Sequence, residues 1–239
     1  MSTIISHFYN EEYLLPWWLN HHKDKFEHGI MIDYDSTDNS VEIIKSICPN
    51  WTIVKSRNRF FQARDIDSEV EDIERTVEGW RVCLNTTEFL LGDTSKLGKQ
   101  NRDSYKIPAM FMVDNDPDTY PDKNISLVKQ KQYGIHYNQA FSLRRARNIH
   151  CDKNISYPLG RHYESYTSIE FLVLWYGWSP YNESIIKRKL QIQKNIPEID
   201  KANGFGTQHI MTPEKLDNTY NNYLIKSRDL SEDLRNFNI

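Results

Sequence analysis

Between Thr3 and Leu84 the sequence alternates four short apolar runs with three stretches of helical period, and this alternation limits the available folds more than any other feature. The runs are Thr3–Phe8, Gly29–Tyr34, Thr52–Lys55 and Trp80–Leu84. Short apolar runs rich in β-branched residues read as strands, and the continuous one at Gly29–Tyr34 as a central strand covered on both faces. Between the runs, Pro16 opens a helix carrying Trp17, Trp18, Leu19 and His22. Asn39, with Glu42 three residues later, resembles a capping box ahead of Val41, Ile44 and Ile47, and Pro49 stops that helix. From Asp65 to Glu78, the residues Ile66, Val70, Ile73 and Val77 form one apolar stripe, with the acids expected on the solvated face. The alternation predicts an α/β fold with a mostly parallel central sheet flanked by helices.

The second half is less regular. Tyr105 to Val113 reads as one strand, followed by the polar loop DNDPDTYPDKN. Ser168 to Tyr176 is predicted as a helix with Ile169, Leu172, Val173 and Tyr176 on one face. Ser179–Pro180 is predicted to cap another helix reaching about Lys194. The tail after Met211 is polar and predicts a peripheral helical part.

Composition removes several function classes. A net charge of −3 with no long basic run gives no electrostatic case for nucleic acid; only Arg144–Arg147 and Lys187–Lys189 are locally basic. Three widely spaced cysteines predict reduced thiols rather than a disulfide framework or a zinc site. The start MSTIISHFYNEE shows no basic segment followed by a long apolar run, and the apolar patch Phe171–Trp178 is too short to span a bilayer. A cytoplasmic location is therefore expected.

In an open parallel sheet, ligands bind beyond the carboxyl ends of the strands. Three polar clusters fall there: Tyr9-Asn10-Glu11-Glu12, Asp33-Tyr34-Asp35-Ser36-Thr37-Asp38 and Asn85-Thr86-Thr87-Glu88. In this order, NEEYLLPWWLNHH, IDYDSTDNSVEII and GWRVCLNTTEFLL resemble the inverting glycosyltransferases of family 2 type. The likeness is to their small bacterial and viral branch, which reads NE-x-x-x-L-x-x-W-x-x-H, then D-x-x-S-T-D, then W-x-x-x-x-D-x-D-E-F. It covers roughly the first ninety residues and is thinner beyond, at GRHY.

The resemblance implies a GT-A (Rossmann-like) fold in one catalytic domain over 1–210, with a nucleotide-sugar half at 1–90, an acceptor half at 91–210 and an extension at 211–239. It implies a nucleotide-sugar donor and a saccharide acceptor, and admits a virus-encoded enzyme acting in a host cytoplasm. Tyr9, Asn10 and Glu11 would line the nucleotide pocket, Asp33 would accept from the base, and Asp35 would lie near base or ribose. Ser36 and Asp38 read equally as turn chemistry.

The family's two metal-binding aspartates fall on Asn85 and Thr87, while Glu88 and Phe89 keep their places. Mn2+ or Mg2+ prefers anionic oxygens, so neutral Asn and Thr weaken such a site. Three outcomes stay open: Glu88, with His162, supplies the ligands; Arg161, Arg188 and Lys189 neutralise the diphosphate; or the chain binds a nucleotide-sugar or glycan without catalysis. His162 would touch the leaving diphosphate or serve packing, and His209 would sit on a loop closing over the donor. For the base that takes the acceptor proton, the candidates are Asp116 in DNDPD and Glu164 beside GRHY.

Overall fold

The computed structural model describes residues 1–99, 101–138, 146–154, 156–204, 206, 210–237 and 239. In chain order the first half is β1 (Ser2–Phe8), α1 (Leu15–His22), β2 (His28–Asp33), α2 (Ser40–Ile47), β3 (Thr52–Lys55), α3 (Ala63–Thr76) and β4 (Trp80–Cys83). The second half is β5 (Glu88–Leu91), β6 (Ser104–Ile107), β7 (Ala109–Val113), α4 (Leu127–Gln130), β8 (Tyr133–Ile135), β9 (Arg147–His150), β10 (Leu172–Trp178), α5 (Glu183–Gln191), α6 (Glu198–Ala202), α7 (Pro213–Leu224), β11 (Arg228–Asp229) and α8 (Ser231–Leu234).

The strands form two sheets, ordered β3-β2-β1-β4-β9-β6 and β11-β8-β7-β10-β5. β3, β2, β1 and β4 run parallel, as their intervening helices require. β9 and β6 then add antiparallel, and the second sheet contains one parallel pair, β7 with β10. Both sheets are mixed, which corrects the expectation of a mostly parallel sheet: after β4 the chain stops returning through crossover helices.

Side-chain alternation on β1 splits the core. Ile4 and Phe8 face α1 and α2 in a cluster with Trp18, Met31, Ile44 and Val82. Ile5 faces the other way, with Ile32, Cys83 and Val70 of α3. Burying each such side chain contributes about 1.5–3 kcal/mol. α1 is tied to β5 by polar contacts as well. Trp18 Nε1 donates to the Glu88 carbonyl at 2.8 Å, His21 Nε2 to the Leu90 carbonyl at 2.7 Å, and His22 Nε2 accepts from the Leu90 N–H at 3.1 Å.

Several local expectations are corrected. Residues predicted as a helix over Ser168–Tyr176 contain most of β10, buried at all seven positions between β7 and β5. A short run buried on both faces carries no periodicity to separate helix from strand. Tyr105–Val113 is two strands in different sheets, divided at Pro108. α5 is capped by Asn182, whose side chain accepts from Ser184 and Ile185 N–H, rather than by Ser179. Asn39 makes no side-chain cap; Asp38 Oδ1 accepts from the Ser40 N–H instead, at 3.0 Å.

The acids of α3 are not all solvated. Asp67, Glu69 and Glu74 are buried against other elements, Glu69 through Tyr34, Ser56, Asn58 and the Arg57 N–H. The tail is part of the core, since Leu216, Leu230 and Leu234 have no exposed surface and β11 pairs with β8. Among the described residues no helix is long and apolar enough to cross a membrane.

Candidate functional site

The loops after β1 and β2 are built by their own polar side chains. Asn10 has φ 51°, a conformation Asn tolerates better than most residues. Its Oδ1 accepts from the Thr37 N–H at 2.8 Å, and its own N–H donates to Ser36 Oγ at 3.1 Å. Asp33 Oδ1 accepts from the Ser36 N–H at 2.9 Å. Asp35 is exposed and paired with Lys55 at 2.9 Å.

α5 docks on the first of these loops. Arg188 Nε donates to both oxygens of buried Glu11, at 2.7 and 2.9 Å. Gln191 Nε2 donates to the Tyr9 carbonyl at 3.0 Å. Burial pushes the Glu11 carboxyl above its ordinary value, and the Arg188 guanidinium opposes that shift. A hollow of about 380 Å³ lies between Asn10, Thr37 and Asp38 on one side and Lys187 and Arg188 on the other.

The third cluster is held from below. Glu88 Oε2 accepts from the Asn85 N–H at 2.8 Å, and Oε1 accepts from Arg147 Nε and Nη2 at 3.0 and 2.6 Å. Arg147 Nη1 reaches on to the carbonyls of Gly160 and Arg161, at 3.2 and 3.0 Å. One buried ion pair thus joins the Asn85–Glu88 turn to the Gly160–Arg161 turn, where both residues have positive φ, 77° and 57°. The Arg161 side chain is buried; its Nη1 donates to Asp67 Oδ1 at 2.6 Å, and its Nη2 reaches His7 Nδ1 at 3.2 Å and Asn85 Oδ1 at 3.5 Å.

These residues open onto a cleft of about 530 Å³ at the carboxyl ends of β1 and β4. His7, Asn85, Thr87, Asp67, Arg161, Arg188 and Lys189 line it. Trp175 and Trp178 of β10 complete an aromatic wall, with the Lys189 ammonium 3.7 Å from the Trp178 ring centroid. Among the described residues, Arg161, Arg188 and Lys189 line the cleft, Arg161 paired with Asp67 and Arg188 with Glu11 behind it. Burial lowers the His7 pKa well below its ordinary value, reinforced by Arg161, Arg147 and Arg188; burial raises that of Asp67, against Arg161.

Of the residues singled out by sequence, Asn85, Thr87, Arg161, His162, Arg188 and Lys189 line this cleft, while Asn10 lines the smaller hollow. Tyr9, Glu11, Asp33 and Asp35 line neither, and Glu88 lies beneath the turn. Asp116 and Glu164 are exposed and outside both hollows. The buried acid of DNDPD is Asp114, locked to Lys131 Nζ at 2.7 Å and the Tyr181 N–H at 2.9 Å. His209 and the stretch Arg144–Arg145 lie outside the described residues. His7 and Asp67 are the site residues that sequence reasoning missed. The signal for Asp67 was its place one residue after Ile66 and three before Val70, beside the buried stripe.

The residues at the Asn85–Glu88 turn do not fit a divalent cation. Both Glu88 oxygens are engaged, Thr87 is neutral, and Asn85 Oδ1 already faces a guanidinium. Among the described residues no three His, Cys, Asp or Glu side chains gather elsewhere as a metal set.

No protein-family model matches the chain, and no curated protein matches it. Among solved structures it is similar to S. aureus TarS 1–349 in complex with UDP-GlcNAc, at 11% identity over 81% of this chain and 63% of that one, with TM-score 0.41. It is also similar to glucosyl-3-phosphoglycerate synthase from Mycobacterium tuberculosis in complex with Mn2+ and UDP-glucose, at 9% identity over 46% of this chain and 43% of that one, with TM-score 0.34. The chain spans less than two thirds of the length of each. These superpositions are partial, and the architecture rests on the chain's own strand order and register.

Proposed function

We propose that this chain is a glycosyltransferase that moves a sugar from a nucleotide-sugar donor to a saccharide acceptor, with inversion. The observation that carries the proposal is the cleft itself: it opens at the ends of parallel strands and is lined by Arg161, Arg188, Lys189, Trp175 and Trp178. Cationic side chains suit a diphosphate, and aromatic faces suit a base or a sugar ring. The ordered likeness of the first ninety residues to family 2-type enzymes supports the same reading. The test is a thermal-shift panel of UDP-, GDP- and dTDP-sugars, followed by an assay of nucleoside diphosphate release in the presence of saccharide acceptors. Stabilisation by one donor, with acceptor-dependent release, is expected. No stabilisation by any donor would refute the proposal.

A second reading, a non-catalytic binder of the same ligand, is favoured by one observation. Asp67, the carboxylate that lines the cleft, is held in an ion pair with Arg161, while Asp116 and Glu164 lie outside. Donor binding with neither transfer nor hydrolysis would select it.

A further inference from the structure

Among the described residues, Arg188 is the one that lines both the smaller hollow and the cleft. A guanidinium has two donor edges: a side edge, shared by Nε–H and one Nη–H, and an end edge, where one N–H of each Nη points the same way. At Arg188 the side edge meets Glu11, with Nε 2.7 and 2.9 Å from the two carboxylate oxygens. Neither Nη has a partner among the described residues, and 14% of the side chain stays exposed, so the end edge is open. The other cations of the cleft offer no such fork. Arg161 donates to Asp67, His7 and Asn85, and the Lys189 ammonium, a point charge, lies 3.7 Å from the Trp178 ring centroid.

The pair is held from both ends. The Glu11 N–H donates to Ser40 Oγ at 2.9 Å, and its carbonyl accepts from the Leu14 and Leu15 N–H groups, each at 3.1 Å, where α1 begins. One turn along α5 from Arg188, Gln191 Nε2 donates to the Tyr9 carbonyl at 3.0 Å. Glu11 is only 3% exposed and lines neither hollow, so it reaches a ligand only through Arg188. Its charge balances that of Arg188, which leaves the end edge to act by direction: two parallel N–H groups match two oxygens of a phosphate. Glu12 and Asp38, the acids of the smaller hollow, accept from the N–H groups of Asn39, Glu12 and Ser40. A phosphate therefore fits on the cleft side of Arg188, away from them.

We propose that the end edge of Arg188 anchors the diphosphate of the ligand, and that Glu11 is a positioning residue for this edge rather than a nucleotide contact. The inference rests on the nucleotide-sugar reading of the cleft.

The experiment is isothermal titration of UDP, GDP and dTDP, each in EDTA and in Mn2+, using the condition that gives the tighter wild-type binding. The proteins are wild type, Arg188→Lys, Arg188→Gln and Glu11→Gln, each checked for folding by circular dichroism. Arg188→Gln should weaken binding of the preferred diphosphate about tenfold or more. Arg188→Lys, which keeps the charge and loses the fork, should lose a similar factor. Glu11→Gln makes the site more positive, so charge alone would tighten binding; loss of positioning should weaken it about threefold or more. A crystal structure of wild type with the bound diphosphate should place phosphate oxygens within about 3.2 Å of Arg188 Nη1 and Nη2.

Wild-type affinity in a folded Arg188→Gln would overturn the inference and leave the nucleotide-sugar reading intact. Wild-type affinity in Arg188→Lys would reduce the site to a charge and refute the fork. Equal or tighter binding by Glu11→Gln would refute the positioning role. A diphosphate seated away from Arg188 in the wild-type crystal, or one touching Glu11 itself, would overturn the assignment whether or not any variant folds. No binding of the three diphosphates to wild type would remove the inference together with the nucleotide-sugar reading.

Discussion

Replacing Glu88 by Gln should cost this protein a large share of its stability, because Glu88 and Arg147 form an ion pair with side chains only 2% and 1% exposed. In wild type, Glu88 receives two N–H donors from Arg147 and one from Asn85, at 3.0, 2.6 and 2.8 Å. The amide keeps the shape and removes the charge, leaving the buried Arg147 guanidinium with only the Gly160 and Arg161 carbonyls as strong acceptors. Breaking a buried pair from one side costs about 3–5 kcal/mol, whereas replacing both partners by apolar residues is often close to neutral. For a chain of this size, about 2–4 °C of melting temperature corresponds to each kcal/mol, so the single variant should melt roughly 6–20 °C lower. The assay is equilibrium urea unfolding followed by far-UV dichroism and by tryptophan fluorescence, since Trp18 Nε1 donates to the Glu88 carbonyl itself. Glu88→Met, Arg147→Met and the double variant Glu88→Met/Arg147→Met form a closed cycle beside the Glu88→Gln measurement. The double variant should recover at least ~2 kcal/mol relative to the sum of the single losses. A single loss under ~1 kcal/mol, or strict additivity, would refute the claim that this pair holds the two turns together.

Gly177→Ala should destabilise by about 1–3 kcal/mol and weaken ligand binding, because its Cβ would lie 2.0 Å from the Trp175 ring that lines the cleft; an unchanged melting curve would contradict this. Leu234→Ala should cost about 2–5 kcal/mol in urea unfolding, since Leu234 has no exposed surface, whereas a peripheral tail would show almost no effect. Burial holds the His21 pKa down at about 4, so the unfolded chain takes up this proton first as pH falls. The stability tied to neutral His21 is full above about pH 6.5 and is lost as pH falls through about 4, up to about 3 kcal/mol in total. Melting temperatures across that window should flatten in His21→Asn, and identical slopes in the two proteins would refute the assignment.

Much of the first half was legible because its information is local. The apolar runs of β1 to β4 and the periods of α1 to α3 place those elements within a residue or two of where they lie. The runs also order the strand-end clusters, and so bring Asn10, Asn85 and Thr87 into view before any contact is known. β10 was not legible as a strand, because seven buried positions in a row carry neither a period of two nor one of 3.6. The acids of α3 misled for a related reason. Asp67 and Glu74 are seven residues apart, on the same face as Val70, and whether that face meets solvent depends on which element packs there.

What the sequence alone determined is the parallel half of the first sheet and the polar residues at its strand ends, since strand, turn and helix propensities act over a few neighbouring residues. What only the tertiary structure decided is how those residues are used. Arg161 meets Asp67 across 94 residues of chain and His7 across 154, and no local period encodes such a pairing. The same packing turns Glu88 inward to Arg147, places Asp116 and Glu164 in solvent and buries the Arg161 guanidinium against Asp67. Burial sets the cost of each unpaired charge, and burial is a property of the assembled chain.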